Sequence, residues 1–167
     1  MRTDTYEIQI MKNLQELNID NECRYISKPF NTISFIILMI IFYFTRVLNI
    51  KELLFIISSS LLTFTLKKIF IRKRPYQNNK IILNKSKKNY NEEKIKLDYY
   101  SFPSGHALTS TVFSLILLNK YGYANFISLI PILVGFSRIY LGVHYPSDVI
   151  FGIIFGSLYF SLIKKYL

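Results

Sequence analysis

The chain has 167 residues and a mass of 19.7 kDa, which is enough for one domain. Half of its residues (51%) are hydrophobic and its mean hydropathy is +0.27, which argues against a disordered chain and an ordinary soluble domain. Its net charge is +11, but the basic residues lie between long apolar runs, which indicates a membrane and no nucleic-acid partner. The single cysteine, Cys23, excludes an internal disulfide.

Five apolar runs predict an all-α bundle of helices that spans a membrane. A bilayer core of about 30 Å needs about 20 helical residues, and the runs approach that length once their flanks are counted. We predict transmembrane helices over 31–50, 52–71, 104–120, 124–142 and 147–164. A soluble all-helical protein is the alternative, but the near-continuous apolar runs leave too few polar faces to meet water.

The first 30 residues are polar and lack the apolar core of a signal peptide. Within them, an apolar residue recurs at every third position, at Ile8, Met11, Leu14 and Leu17. This pattern predicts an amphipathic helix that lies on the membrane surface or packs on the bundle. We therefore divide the chain into an N-terminal tail (1–30) with an interfacial helix and a transmembrane domain (31–167).

The second and third predicted helices are joined by a long basic connection, 72–103. It is rich in lysine and asparagine, a composition that predicts a mobile loop and no second domain.

Three polar clusters fall at the ends of the predicted helices, and a five-helix topology places all of them on one side of the membrane. They are Lys67-x6-Arg74-Pro75, Pro103-Ser104-Gly105-His106 and Ser137-Arg138-x5-His144-x3-Asp148. Both histidines of the chain belong to these clusters. The ordered set therefore indicates a single site.

Each cluster also has an ordinary structural explanation when it is taken alone. The long side chains of basic residues at a helix end can extend their charged groups to the membrane interface. Ser104 can be explained as an N-cap after a turn, and Asp148 can be explained as an acid that complements a helix dipole. Arg138 is harder to explain, because it lies within an apolar run, where an arginine usually faces a partner or a functional cavity.

The residue types of the clusters predict a tetrahedral oxyanion as the ligand. Lys67, Arg74 and Arg138 supply converging positive charge, and arginine suits the multidentate capture of phosphate oxygens. Ser104 caps the third helix, so the free backbone N–H groups that follow it, beginning with that of Gly105, form an anion site.

The two histidines, His106 and His144, form a complementary pair for catalysis. One must be neutral to attack, and the other must be protonated to donate to the leaving oxygen. Asp148 can accept the second ring N–H of His144 and fix its tautomer. The clusters contain neither a cysteine nor a pair of carboxylates, so we expect no zinc site, no two-metal site and no cofactor.

The three clusters resemble the signature of the type 2 phosphatidic acid phosphatase superfamily. The run from Gly135 to Val149 (GFSRIYLGVHYPSDV) is similar to that family at nearly every position, and the resemblance covers roughly 53–160. It implies a helical, metal-independent lipid phosphatase. Soluble members of the same superfamily bind vanadate in the corresponding pocket and act as haloperoxidases.

The resemblance also implies a role for each site residue. His144 would attack phosphorus and form a phosphohistidine, Asp148 would orient His144, and His106 would protonate the leaving group. The phosphate oxygens would be held by Lys67, Arg74, Ser104, Gly105 and Arg138.

The resemblance does not identify the lipid. A polyprenyl diphosphate, phosphatidic acid and phosphatidylglycerol phosphate are the candidates, and short microbial members often act on the first. No obligatory protein partner is evident. A vanadate-binding haloperoxidase-like enzyme and a non-catalytic lipid-binding or transport protein are the alternatives. The apolar runs argue against the first alternative, and the intact histidine pair argues against the second.

Two indicators of membrane orientation conflict. The lysines and arginines of the tail and the long connection gather on the site side, so the positive-inside rule places the site in the cytoplasm. The family resemblance implies an extracytoplasmic or lumenal site, in a cell or organelle membrane. We favour the orientation of the family, because the basic connection can instead serve to capture anionic lipids.

Overall fold

The computed structural model describes residues 2–83, 85, 100–122 and 125–167. Over these residues the secondary structure is helical, which confirms the all-α prediction. The helices are α1 Arg2–Gln15, α2 Asp20–Ser27, α3 Thr32–Phe44, α4 Ile50–Phe70, α5 Pro75–Asn78, α6 Gly105–Tyr121, α7 Ile130–Tyr140 and α8 Pro146–Ile163. Short 3-10 segments lie at Lys28–Phe30, Asn125–Leu129 and Lys164–Tyr166.

The five predicted transmembrane helices correspond to α3, α4, α6, α7 and α8. Of the described helices, two are long and apolar enough to cross a membrane, Ile50–Phe70 and Pro146–Tyr166. A third span results if Asp20–Phe30 and Thr32–Phe44, which meet at a bend of 55°, are counted as one. Length and composition therefore make α4 and α8 the clearest spans.

Two predicted helices are shorter in the structure. The first, predicted over 31–50, ends at Phe44, because Arg46 adopts a left-handed conformation (φ 59°) that breaks the helix. The fourth, predicted from 124, is a 3-10 segment over Asn125–Leu129, and α7 begins only at Ile130. Pro131 follows in the first turn of α7, where its missing N–H is tolerated.

Helix α6 lies at the centre of the bundle, between α4, α7 and α8. The spacing of Gly152 and Gly156 on α8 predicts close packing of helices, and the structure confirms it. A Cβ at Gly152 would lie 2.7 Å from the carbonyl oxygen of Ser104, and one at Gly156 would lie 2.8 Å from that of Leu108. The backbone of α8 therefore lies directly against the start of α6.

Helix α1 packs on the end of the bundle where the polar clusters lie. Met11 is fully buried in a cluster with Ile82 and Tyr145. Gln15 donates to the carbonyl oxygen of Leu83 (2.8 Å) and accepts from its N–H (3.1 Å). These contacts match the alternative of a helix packed on the bundle, and the interfacial position of this helix stays a prediction.

Nearly half of the predicted mobile loop, at 84 and 86–99, lies outside the described residues. Its two ends pair with each other. The N–H of Ser101 donates to the carbonyl oxygen of Arg72 (2.7 Å), and its Oγ donates to that of Lys73 (3.2 Å). This pairing brings the segment after α4 next to the segment before α6, so the first two polar clusters are neighbours.

Candidate active site

Residues from all three polar clusters line one cavity of about 510 Å³ between α3, α4 and α6. The residues of the clusters that line it are Lys67, Gly105, His106 and His144. The three clusters, which are separated in sequence, therefore meet at one end of the bundle.

His144 and Asp148 form a buried pair at the start of α8. His144 is 2% exposed and Asp148 is fully buried. The Nδ1 atom of His144 lies 3.5 Å from Oδ2 of Asp148, at the long end of hydrogen-bond distance. The same Oδ2 accepts the N–H of Tyr145 at 2.8 Å, which fixes the carboxylate in place. A carboxylate beside Nδ1 favours the tautomer with its proton there and a lone pair on Nε2.

Arg74 places a positive charge beside the other nitrogen of His144. Its side chain is buried, and its Nη1 lies 3.5 Å from Nε2 of His144. The same Nη1 donates to the carbonyl oxygen of Val143 at 2.8 Å. Pro75 then starts α5, and Gln77 accepts the Arg74 N–H at 3.0 Å, so the backbone of Arg74 is also held.

Ser104 joins the start of α6 to α8. It is fully buried, its Oγ accepts the N–H of Ala107 at 3.5 Å, and its own N–H donates to the carbonyl oxygen of Asp148 at 2.9 Å. Gly105 begins α6, and a Cβ there would lie 3.0 Å from Thr63 on α4. The N–H groups of the first turn of α6 thus lie where α4 and α8 both come close.

His106 and Lys67 line the cavity from α6 and from the last turn of α4. The Nε2 atom of His106 lies 3.2 Å from Oδ1 of Asn31, the residue before α3. Arg138 is buried on α7, and its carbonyl oxygen accepts the N–H of Val143 at 3.3 Å. Arg138 is therefore linked through its backbone to the turn that carries His144, and the role of its guanidinium stays a prediction.

Sequence reasoning missed Arg72, which is the cationic partner of Asp148. Its Nη1 donates to Oδ1 of Asp148 (2.8 Å) and to Oγ of Ser147 (2.7 Å). Its guanidinium also stacks on the ring of Tyr145, 3.9 Å from the ring centre. The sequence offers one signal, a second arginine two residues before Arg74, but such an arginine is also typical of an ordinary basic helix end.

Sequence reasoning also missed Glu7 and Asn31. Glu7 of α1 accepts from Nη2 of Arg72 at 2.8 Å and from the N–H of Ser147 at 2.7 Å. No local pattern could indicate these contacts, since the partners lie 65 and 140 residues further along the chain. Among the described residues, no group of three or more His, Cys, Asp or Glu side chains could hold a metal ion.

The fold and the site define an integral membrane protein, an all-helical bundle with a buried histidine–aspartate pair and converging cations at one end. The chain belongs to the PAP2 superfamily, whose family model matches residues 48–167. Its fold is similar to that of the crystal structure of the first transmembrane PAP2 type phosphatidylglycerolphosphate phosphatase from Bacillus subtilis. The TM-score is 0.75 at 23% sequence identity, and the match covers 99% of this chain and 86% of that one.

Two curated relatives share segments of this sequence. Phosphatidylglycerophosphatase B of Bacillus subtilis (strain 168) is 37% identical over 79 residues, which are 40% of this chain and 39% of that protein. Undecaprenyl-diphosphatase of Sulfolobus acidocaldarius is 47% identical over 60 residues, which are 35% of this chain and 29% of that protein. The matched segments thus span well under half of the length of these relatives.

Proposed function

We propose that this protein is a membrane phosphatase that removes phosphate from a lipid phosphomonoester or diphosphate through a phosphohistidine on His144. The arrangement around His144 carries the proposal. Its imidazole lies between Asp148 at Nδ1 and Arg74 at Nε2, and it lines a cavity shared with Lys67 and His106. Membership of the PAP2 superfamily supports the same activity.

In the first step, Nε2 of His144 attacks the phosphorus of the substrate. Asp148 keeps the ring proton on Nδ1, so the lone pair of Nε2 is free to form the N–P bond as the P–O bond to the leaving group breaks. Arg74 lies beside Nε2 and neutralises the charge of the phosphoryl group. The developing charge on the transferred oxygens is also held by Lys67, Arg138, Ser104 and Gly105.

His106 is the acid of the first step and the base of the second. It donates a proton to the oxygen that leaves with the lipid, and it then takes a proton from the water that hydrolyses the phosphohistidine. Its position on the same cavity as His144 supports this role. The second step releases inorganic phosphate and regenerates neutral His144.

The shape of the cavity supports a substrate with a long apolar chain. Besides the site residues, its lining contains apolar and aromatic side chains of α3, α4 and the turn before α3, which are Phe30, Phe35, Ile36, Ile57 and Phe64, together with the hydroxyl side chains of Thr32, Ser60, Thr63 and Thr109. A lipid tail could lie along this wall while its phosphate reaches His144. A polyprenyl diphosphate and a glycerophospholipid phosphate both have this form, and the similarity to an undecaprenyl-diphosphatase and to a phosphatidylglycerophosphatase supports both classes.

We place the site on the extracytoplasmic or lumenal side of the membrane, as the family resemblance implies. Single-cysteine variants at Asn31 and Lys164, made in a Cys23→Ala background, would be labelled in intact cells with a membrane-impermeant thiol reagent. Labelling at 31 without labelling at 164 is the expected result, and the reverse pattern would place the site in the cytoplasm.

Phosphate release by the purified protein in detergent with EDTA tests the activity. The panel contains lipid monophosphates and diphosphates, with His144→Ala alongside. Release that survives EDTA and disappears in the variant is the expected result. If the wild type and the variant both release no phosphate, a non-catalytic lipid-binding or transport protein becomes the better conclusion. Halide oxidation that requires added vanadate would favour a haloperoxidase-like enzyme.

A further inference from the structure

We propose that Glu7 of α1 and Arg72 are positioning residues that hold Asp148, and through it His144, in the orientation needed for attack. The inference rests on the proposed phosphatase function. It assigns a role to the N-terminal helix, which lies outside the three sequence clusters. The contacts that carry it form a continuous chain from Glu7 through Arg72 and Asp148 to His144.

Both oxygens of the Asp148 carboxylate are engaged. Oδ2 accepts the N–H of Tyr145 and lies beside Nδ1 of His144, while Oδ1 accepts from Arg72 at 2.8 Å. Because the carboxylate is fully buried, it needs a charged donor in place of the water that it has lost. Without Arg72, the carboxylate loses its charged donor on Oδ1, and its orientation beside the imidazole is held less firmly.

Arg72 is itself held on both sides of its guanidinium. One nitrogen, Nη1, donates to Asp148 and to Oγ of Ser147, and the other, Nη2, donates to Glu7 at 2.8 Å. The ring of Tyr145 supports the guanidinium plane at 3.9 Å. A planar guanidinium that is held at both terminal nitrogens and on one face has little freedom to turn.

Glu7 joins Arg72 to the first turn of α8. Its Oε2 accepts from Arg72, and its Oε1 accepts the N–H of Ser147 at 2.7 Å. A carboxylate is favourable there, because the first N–H groups of a helix carry partial positive charge. With a side-chain exposure of 14%, Glu7 is largely shielded from water, so its contacts are stronger than those of a surface ion pair.

The rest of α1 holds Glu7 at this position. Met11, one turn further along, is fully buried in a cluster with Ile82 and Tyr145. Gln15 donates to the carbonyl oxygens of Leu83 and Tyr140 at 2.8 and 2.9 Å. These contacts fix α1 along its length, so the carboxylate of Glu7 is presented by a docked helix.

Gly142 permits this docking. It has a positive φ of 77°, and a Cβ there would overlap the carbonyl oxygen of Leu83 and lie 3.1 Å from Nε2 of Gln15. The turn between α7 and α8 can therefore approach α1 closely only without a side chain at this position.

Single-turnover kinetics test the proposal, with enzyme in saturating excess over a lipid phosphate that the wild type hydrolyses. The variants are Glu7→Ala, Arg72→Ala and the double variant. Glu16→Ala is the matched control, because Glu16 is an exposed acid directly after α1. A loss of folded enzyme raises the enzyme concentration needed for saturation but leaves the maximal rate constant unchanged. A loss of positioning lowers that rate constant.

We expect the maximal rate constant to fall about tenfold in Glu7→Ala and about 100-fold in Arg72→Ala, since small misplacements of reacting groups cost this much. The double variant should be slower than Arg72→Ala by much less than about tenfold, because Glu7 acts mainly through Arg72 and only its contact with the N–H of Ser147 is independent of it. Glu7→Gln, which keeps one oxygen acceptor, should lie between the wild type and Glu7→Ala. Glu16→Ala should match the wild type.

The proposal would be overturned if the rate constant of Glu7→Ala equalled that of Glu16→Ala. It would also be overturned if the fold-losses of Glu7→Ala and Arg72→Ala multiplied in the double variant. Failure of the proposed function gives a different result, since the wild type and His144→Ala would then both release no phosphate. The two failures are therefore distinguishable in one set of measurements.

Discussion

Asp148→Asn changes the charge of the buried carboxylate while it keeps the size of the side chain. In the native protein one oxygen accepts from Arg72 at 2.8 Å, and the other accepts from Tyr145 at 2.8 Å and lies 3.5 Å from Nδ1 of His144. An asparagine has only one oxygen for these donors. The guanidinium is the strongest donor, so the oxygen should turn towards Arg72 and the amide NH₂ towards His144.

The turned amide reverses the tautomer of His144. An NH₂ group beside Nδ1 requires Nδ1 to accept, so the ring proton moves to Nε2 and the lone pair needed for attack on phosphorus is lost. A wrong tautomer in a histidine–carboxylate pair costs about 10⁴ in kcat. Because the native separation of 3.5 Å is longer than an ordinary hydrogen bond, we expect a smaller loss here, of about 10³-fold. A loss of about 10³-fold corresponds to about 4 kcal/mol of transition-state stabilisation.

The assay is the rate of phosphate release at saturating lipid, measured together with the thermal unfolding midpoint in the same detergent. Arg72→Lys is a useful comparison, because it keeps a positive charge near Asp148 but removes the planar fork. If Asp148→Asn keeps more than about a tenth of the wild-type kcat, the tautomer does not control the reaction and the assignment of His144 as nucleophile fails.

Three further predictions address the packing, the acid and the cavity. Gly152→Ala should lower the unfolding midpoint and the activity, because its Cβ would lie 2.7 Å from the carbonyl oxygen of Ser104. Ile154→Ala, on an exposed part of α8, is the control and should have a much smaller effect on both. Asn31→Ala should reduce kcat about threefold to tenfold on a lipid substrate, because it removes the partner of His106. A substrate with a nitrophenol leaving group should show no loss of kcat, because that leaving group needs no acid. Ile57→Trp should raise KM severalfold for a long-chain lipid phosphate and leave KM for a short water-soluble analogue unchanged, since Ile57 lines the apolar wall of the cavity. Equal effects on both analogues would show that this wall does not bind the chain.

The sequence predicts the class of fold and the meeting of the three clusters because both depend on local patterns. Apolar runs identify helices, and the number of helices decides which of their ends lie together. The bounds of α3 could not be predicted, since the left-handed conformation of Arg46 leaves no mark on an apolar run. The break before α7 depends on Pro131, which the sequence shows but which is compatible with a kink or with a helix start.

The contacts of Arg72, Glu7 and Asn31 could not be predicted for a different reason. Each joins segments that are distant in the sequence, and each involves a residue type that is common on surfaces. A glutamate in a polar tail is usually solvated, and a lysine or arginine at a helix end usually reaches the interface. Only the packed structure distinguishes such a residue from one that contacts a buried carboxylate.

The contact between Glu7 and Ser147 has a consequence for the biosynthesis of the protein. It joins the first helix of the chain to the start of the last, across 140 residues. A ribosome must therefore complete the start of α8 before Glu7 can meet Ser147, whereas Ile82 and Leu83, which α1 also contacts, are made earlier. Nascent chains that lack α8 have no assembled site, since Asp148 lies in the first turn of that helix. Closure of α1 over the finished bundle is then among the last steps of maturation, and we expect it to be slow compared with formation of the individual helices.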